Sequence, residues 1–262
     1  MIDATHYHRE GYTTPDRGLP AEDQRILGDA VDKLIADNPA LRPEQIVCPH
    51  LAGGAAGNVM GETSDTFLAT AHLPLITKAV AALIGPDVIL WGSQLFAKRS
   101  GDGLAVPWHQ DGHYWPLNPP ETCSVWIAVD ASTLENGCLR VVPGSHTGGL
   151  QAHVEGDGNG AALNAAIDPL SFDESSAVDI ILKPGQMSFH HAKLVHGSNP
   201  NYSDKRRAGL VFRYMPATTT YDRNYPDRSQ PDGHVVHYAT RKLYQVAGDN
   251  PGDNEVVRLN RT

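Results

Sequence analysis

An imidazole and a carboxylate stand two residues apart in Val106-Pro-Trp-His-Gln-Asp-Gly-His113, at His109 and Asp111. In an extended chain residues i and i+2 point to the same side, so both can reach one ion. A second imidazole comes much later, at His196 in Val195-His-Gly-Ser198. Two histidines and one carboxylate on one face leave coordination positions open. Iron(II) oxygenases need those positions for a chelating co-substrate and for dioxygen. An HxD pair alone is weak evidence in a chain with 13 histidines. His190 and His191 compete with His196 as the third ligand, but they lack the Gly-Ser that follows it.

An anion grip stands at fixed spacing from that histidine. Arg207 opens the stretch Arg-Ala-Gly-Leu-Val-Phe-Arg-Tyr214. If that stretch is a strand, the Arg207 guanidinium can point inward and hold a carboxylate with two parallel hydrogen bonds. The Ser198 hydroxyl can reach the same carboxylate. Arg206 points the other way by strand parity. Arg213 shares the parity of Arg207 but lies about 20 Å further along by strand rise.

The elements that must position these groups fall in a definite order. Residues 20–37 read as a helix, because Ile26, Leu27, Ala30, Val31, Leu34 and Ile35 recur at three- and four-residue spacing. Residues 64–84 read as one or two further helices, divided at Pro74. From residue 88 the character changes. Val88–Lys98, Cys123–Ala131, Leu139–Val142, Val178–Leu182, Gln186–His190 and Ala208–Met215 all read as strands, with Asn136-Gly137 as a tight hairpin turn. Helices followed by many short strands suggest an α+β domain built on a β-sandwich or barrel. The Gly-, Ala- and Asp-rich stretch 147–176 reads as an active-site lid with a short helix near 160–167, or as a plain insertion. Residues 217–262 are expected to wrap the domain surface.

Composition excludes several classes. The net charge of −9 and the lack of a long basic run argue against a nucleic-acid partner. No apolar run approaches the ~20 residues of a membrane span, and MIDATHYHREGYTTPDRG has no apolar core of a secretory signal. Cys48, Cys123 and Cys138 have no CxxC spacing and read as reduced, buried thiols of a cytoplasmic protein.

Three linked segments closely resemble the phytanoyl-CoA dioxygenase family. They are LFAKRSGDGLAVPWHQDGHYW (95–115), SVWIAVDASTLENGCLRVVPGSH (124–146) and HGSNPNYSDKRRAGLVFRYMP (196–216). The resemblance implies a single domain over 1–262 with a double-stranded β-helix, a jelly-roll barrel with helices packed outside. Its mainly helical part would be 1–86 and its jelly-roll core 87–216. It further implies iron(II) held by His109, Asp111 and His196, with dioxygen and 2-oxoglutarate as co-substrates. Arg207 and Ser198 would hold the distal carboxylate of 2-oxoglutarate. Lys98 resembles the family's co-substrate lysine, and Trp126 the aromatic residue lining that pocket. The ENG and PGSH segments would shape a turn and loop beside the site, and His146 is not assigned to the metal.

The reaction expected from these residues is hydroxylation of a small molecule with release of succinate and carbon dioxide. Related halogenases replace the triad carboxylate with a small residue, and here Asp111 is present. Gln94, His113, Tyr114 and Trp115 are candidates for the substrate wall. Two other readings stay open: a cupin-type metalloenzyme that needs no 2-oxoglutarate, and a barrel that binds a metabolite without turnover.

Overall fold

A computed structural model describes residues 2–52, 62–155, 161–163, 165–229 and 235–259. The N-terminal helices form where periodicity predicts them. Ala21–Asp37 buries Leu27, Ala30, Val31 and Leu34 on one stripe. Ser64–Ala71 and Pro74–Ile84 are separate helices bent by 51°, with Pro74 in the first turn of the second. Ile76, Val80 and Leu83 of that second helix are almost fully buried. Each such side chain contributes roughly 1.5–3 kcal/mol on burial. A further short helix, Ala4–Glu10, starts at Asp3, whose carboxylate accepts the His6 amide at 2.8 Å. No single helix among the described residues is long and apolar enough to cross a membrane.

Two sheets face each other. The larger runs in the order Tyr12–Thr13, Met187–His191, Cys123–Ala128, Arg207–Pro216, Val88–Lys98, Leu243–Ala247, Val256–Arg258, with Ile46–Val47 also paired to Val88–Lys98. The smaller runs Val178–Ile180, Leu139–Val141, His196–Ser198, Val106–His109. This is the jelly-roll arrangement, although the described ladders do not close into a continuous barrel.

Strand parity divides the larger sheet between core and cavity. On Arg207–Pro216, Ala208, Leu210 and Phe212 join the core cluster that contains Ile76 and Val80. The alternate residues Arg207, Val211 and Arg213 line a cavity between the sheets. Trp126 and Phe96 do the same on neighbouring strands. A register shift falls between Arg213 and Tyr214. Beyond it, the Tyr214 hydroxyl donates to the Ala71 carbonyl on the helical side at 2.7 Å.

Three expectations change. Cys123–Ala128 and Leu139–Val141 are not hairpin partners around Asn136-Gly137, because they belong to different sheets. The intervening loop is closed by the Asn136 side chain, which accepts the Thr133 amide and donates to the Ala131 carbonyl, both at 2.8 Å. The helix expected near 160–167 is replaced at 165–167 by a strand paired with His153–Glu155. Pairing to a neighbouring strand overrides the helical preference of its alanines. Residues 156–160 and 164 of that stretch lie outside the described residues. Residues 217–262 do more than wrap the surface, since Leu243–Ala247 pairs antiparallel with Val88–Lys98.

Candidate metal and co-substrate site

His109 ends one strand of the smaller sheet and His196 begins the adjacent one, and the two are register partners. Their ring centroids are 4.1 Å apart. Each ring is oriented by its own backbone: His109 Nδ1 donates to the Pro107 carbonyl and His196 Nδ1 to the Leu194 carbonyl, both at 2.8 Å. That hydrogen bond puts the proton on Nδ1 and leaves the Nε2 lone pair free for a metal. The two Nε2 atoms face the Asp111 carboxylate at 3.5 and 4.0 Å. One ligand atom from each of the three residues lies within 4.8 Å of the others, and all three residues are buried.

Asp111 is held from the opposite sheet by one transverse row. His190 pairs with Ser124, and Ser124 pairs with Arg213. Ser124 Oγ donates to Asp111 Oδ2 at 3.3 Å. His190 Nε2 lies 3.6 Å from the same oxygen, and Arg213 reaches within 4.0 Å of Oδ1. Burial alone would raise the carboxyl pKa, but contacts with His109 and His190 and the charge of Arg213 hold it well below the usual range. Burial and the neighbouring His109 hold His196 well below its ordinary value. The result is an ionised carboxylate beside a neutral imidazole, a donor set that suits a divalent ion with nitrogen and oxygen preferences. His191 is not part of it, since its Nε2 is engaged by Glu121 at 2.8 Å. His146 is turned away, with Nε2 3.2 Å from the His8 carbonyl.

The same cavity, with about 420 Å³ of empty space counting its mouth, runs from the triad to Arg207 and Ser198. Arg207 NH2 donates to Ser198 Oγ at 3.3 Å and to the Gly137 carbonyl at 2.8 Å. Its Nε donates to the Gly137 carbonyl at 3.1 Å and NH1 to the Phe96 carbonyl at 3.3 Å. The Trp126 ring stacks 5.4 Å from the guanidinium. Burial lowers the Arg207 pKa to about 10, so the cation persists at neutral pH. A buried cation partnered by neutral groups, at the end of a cavity, suits a ligand carboxylate.

Lys98 is the register partner of Arg207 but is not on the cavity wall. Its Nζ donates to the carbonyls of Leu104 and Asn199 at 2.5 and 2.6 Å and lies 3.5 Å from that of Ser198. It therefore holds the Ser198 loop from behind. Burial and the adjacent Arg207 pull its pKa down to about 6.

A second cavity shares His109, Asp111 and Arg213 with the first and adds Gln94, Tyr114 and Trp115. His113 stays outside it, exposed and stacked on His153 at 3.9 Å. The paired strands 153–155 and 165–167 pack over the metal-bearing segment. The Gln110 amide donates to His153 Nε2 at 3.0 Å, and Tyr114 donates to the Ala165 carbonyl at 2.7 Å. Sequence reasoning missed Ser124 and His190 as supports of Asp111. Strand parity with Trp126 could have placed Ser124 inward. It also missed Arg241, Arg228 and Tyr238 on the second cavity, for which no local signal exists.

The profile of the family described as phytanoyl-CoA dioxygenase (PhyH) matches residues 7–209. A dioxygenase named lolE1 from Epichloe uncinata is 32% identical over 163 residues, covering 62% of this chain and 56% of that protein. The peroxisomal phytanoyl-CoA dioxygenase of Homo sapiens is 30% identical over 155 residues, covering 57% of this chain and 46% of that one. The chain thus spans about half the length of these curated relatives. Among solved structures, the apo non-heme monooxygenase ThoJ superposes with a TM-score of 0.71 at 26% identity, covering 98% of this chain and 87% of that one. The epimerase SnoN, solved with Fe3+, alpha ketoglutarate and nogalamycin RO, gives 0.64 at 25% identity, covering 83% and 84%.

Proposed function

The chain belongs to the phytanoyl-CoA dioxygenase family, and from that premise we propose that it hydroxylates a C–H bond of a small molecule using iron(II), 2-oxoglutarate and dioxygen. The balance is one 2-oxoglutarate, one dioxygen and one R–H consumed for one succinate, one carbon dioxide and one R–OH formed. The observation that carries this reading is the convergence of the His109–Asp111–His196 donors and the Arg207–Ser198 pair on one cavity. A metal site alone would fit many barrels. A metal site with a buried, carboxylate-ready arginine at the other end of its cavity fits a dicarboxylate co-substrate.

His109 Nε2, His196 Nε2 and an Asp111 oxygen would hold the ion. Iron(II), when bound, supplies the redox chemistry that couples oxidative decarboxylation of the co-substrate to C–H oxidation. The protein's own contribution is orientation. The Pro107 and Leu194 carbonyls fix both imidazoles in the ligating tautomer. Ser124, His190 and Arg213 fix the carboxylate. Arg207 and Ser198 would bind the far carboxylate of 2-oxoglutarate, with Trp126 closing one wall. Tyr114 and Trp115 exclude water from the space where the substrate would sit. The three free, buried cysteines support a reducing compartment such as the cytosol.

The test is anaerobic titration of the iron(II) protein with 2-oxoglutarate. A visible charge-transfer band of the iron–2-oxoglutarate complex is expected, and Asp111→Ala should weaken it. Substrate screening would then read succinate release. An iron protein that gives no band and does not bind 2-oxoglutarate would instead be a metalloenzyme of another type.

A further inference from the structure

The second cavity is built differently from the first. It opens beside the triad and holds about 530 Å³ of empty space, counting its mouth. Three guanidinium groups, of Arg213, Arg228 and Arg241, line it. Among the described residues that line it, the only carboxylate is Asp111, the residue assigned to the metal. Arg213 and Arg241 are buried, with 7% and 3% of their surfaces exposed.

These two arginines are also short of partners. Among the described residues, Nε of Arg213, and both Nε and NH2 of Arg241, have no hydrogen-bond partner. Arg213 spends one donor on Gln94 Oε1 at 3.0 Å. They stand side by side over Gly92, where a Cβ would sit 3.8 Å from Arg213 Cδ and from Arg241 NH1. Behind Arg241, burial and that cation push the His50 pKa down to about 3, so His50 adds no charge of either sign at neutral pH. Asp111, 4.0 Å from Arg213 and shared with the metal ligands, compensates part of one charge, and aromatic faces supply the rest. Arg213 lies 5.0 Å from the Trp115 ring, and Arg241 lies 4.9 Å from Tyr238 and 5.9 Å from Trp91.

Magnitudes decide whether that is enough. A cation–π contact is worth about 0.5–2 kcal/mol. Leaving a charge buried without a counter-ion costs several kcal/mol. Two adjacent like charges add mutual repulsion. The first cavity does not have this imbalance on the proposed reading, because Arg207 and the metal would face the two carboxylates of 2-oxoglutarate. Among the described residues, the second cavity offers its cations only Asp111, which the metal would share.

We infer that the primary substrate carries a compact oxyanion on an apolar body, and that Arg213 and Arg241 grip the oxyanion while Trp91, Trp115 and Tyr238 enclose the body. The ligand class is a small carboxylate, phosphonate or sulfonate with a flat or compact hydrophobic portion. Guanidinium forks match any of these in paired hydrogen bonds. With its anion anchored beside Arg213, which lies 4.0 Å from Asp111, such a substrate has its adjoining carbon skeleton next to the metal site. This inference rests on the reading of the triad as the reactive centre.

The test uses benzoate, phenylphosphonate and benzenesulfonate as probes, with benzamide as the neutral isostere. Binding to the Mn(II)-loaded protein, with saturating 2-oxoglutarate present, is measured by calorimetry. Broadening of the probe's proton signals by Mn(II) reports its nearness to the metal. At least one anion should bind about ten-fold or more tightly than benzamide, and its signals should broaden. Arg241→Met and Arg213→Met should each remove most of that preference, and Arg241→Lys should keep part of it. The ranking of the three anions names the headgroup. If no anion binds more tightly than benzamide, the inference is overturned, and that comparison needs no variant. It is equally overturned if folded Arg213→Met and Arg241→Met both bind the anion as wild type does. The measurement needs neither oxygen nor turnover, so absence of the charge-transfer band would remove the proposed activity while leaving this result readable.

Discussion

The indole of Trp126 lies across the Cα of Gly209, so close that a Cβ at position 209 would overlap the ring. Gly209 is the register partner of Ala128, and Trp126 that of Val211, so the indole leans diagonally over the neighbouring strand. That lean puts its face beside the Arg207 guanidinium. Gly209→Ala should therefore push the ring off its seat and release Arg207 from one side. Overpacking of this kind costs about 1–3 kcal/mol. The expected signature is a KM for 2-oxoglutarate raised about ten-fold with iron(II) affinity retained, and partial recovery when Trp126→Leu is added. Unchanged KM in a folded Gly209→Ala protein would show that the indole does not brace Arg207.

Arg207 and Ser198 should differ in weight. Removing the buried cation with Arg207→Met should cost about 2–5 kcal/mol of 2-oxoglutarate affinity, roughly thirty-fold or more. Ser198→Ala removes one hydroxyl and should cost about 0.5–1.5 kcal/mol. Lys98→Met should act through the Ser198 loop, because its Nζ touches the carbonyls at 104, 198 and 199 and not the cavity. It should lower stability more than it raises KM. Titration of the charge-transfer band in all three variants ranks them, and Lys98→Met as the most damaging to affinity would make that lysine a direct contact.

Much of this site was legible in the sequence because its signals are local. HxD spacing brings two ligands to one ion, although the strand ends at His109 and Asp111 opens a 3-10 turn, and Arg207 opens a strand whose parity points it inward. Gln94 was likewise placed by parity with Lys98. Arg213 shares the parity of Arg207, but its distance along the strand argues against a shared grip. Distance from Arg207 is what brings it to Asp111 at the other end of the cavity. Arg241 and Tyr238 could not be read at all. They reach the cavity only because Leu243–Ala247 pairs with Val88–Lys98, a contact across most of the chain that no local pattern records. The Asn136-Gly137 turn misled for a related reason: turn chemistry says that the chain reverses, not which sheet it enters.

Gln110, between the two ligands His109 and Asp111, ties the 149–153 segment to the metal-bearing segment. Its Nε2 donates to the carbonyls of Gly149 and Lys193 at 2.8 and 2.6 Å, and its Oε1 accepts the Gln151 amide at 2.7 Å. Gln110→Ala leaves those groups unpaired in a buried place, at about 1–3 kcal/mol for each group that water cannot reach. The Gln151 amide should lose most of its hydrogen-exchange protection, with faster proteolysis around 149–153. Gln110→Glu should also fail, because it keeps an acceptor but loses both donors. Wild-type protection at Gln151 in Gln110→Ala would mean that the segment is anchored elsewhere.

Acid should loosen the loop that leads to the third ligand. Glu121 accepts from His191 Nε2 at 2.8 Å and from Lys193 Nζ at 2.5 Å, clamping the chain five and three residues before His196. The hydrogen bond from His191 comes first, and with Lys193 it outweighs the opposing effect of burial, lowering the Glu121 pKa to about 2. The unfolded value is about 4.3. A carboxyl depressed on folding stabilises above the unfolded pKa, and that stabilisation drains as pH falls from about 4.3 towards about 2. The Glu121 side chain is 34% exposed, so solvent screening limits the worth of the clamp to about 1 kcal/mol. Glu121→Gln should lower the neutral-pH melting temperature by about 2–4 °C and flatten the fall in stability between pH 4.3 and 2. Denaturant melts of both proteins across that range decide it: parallel acid limbs would remove Glu121 as the group responsible.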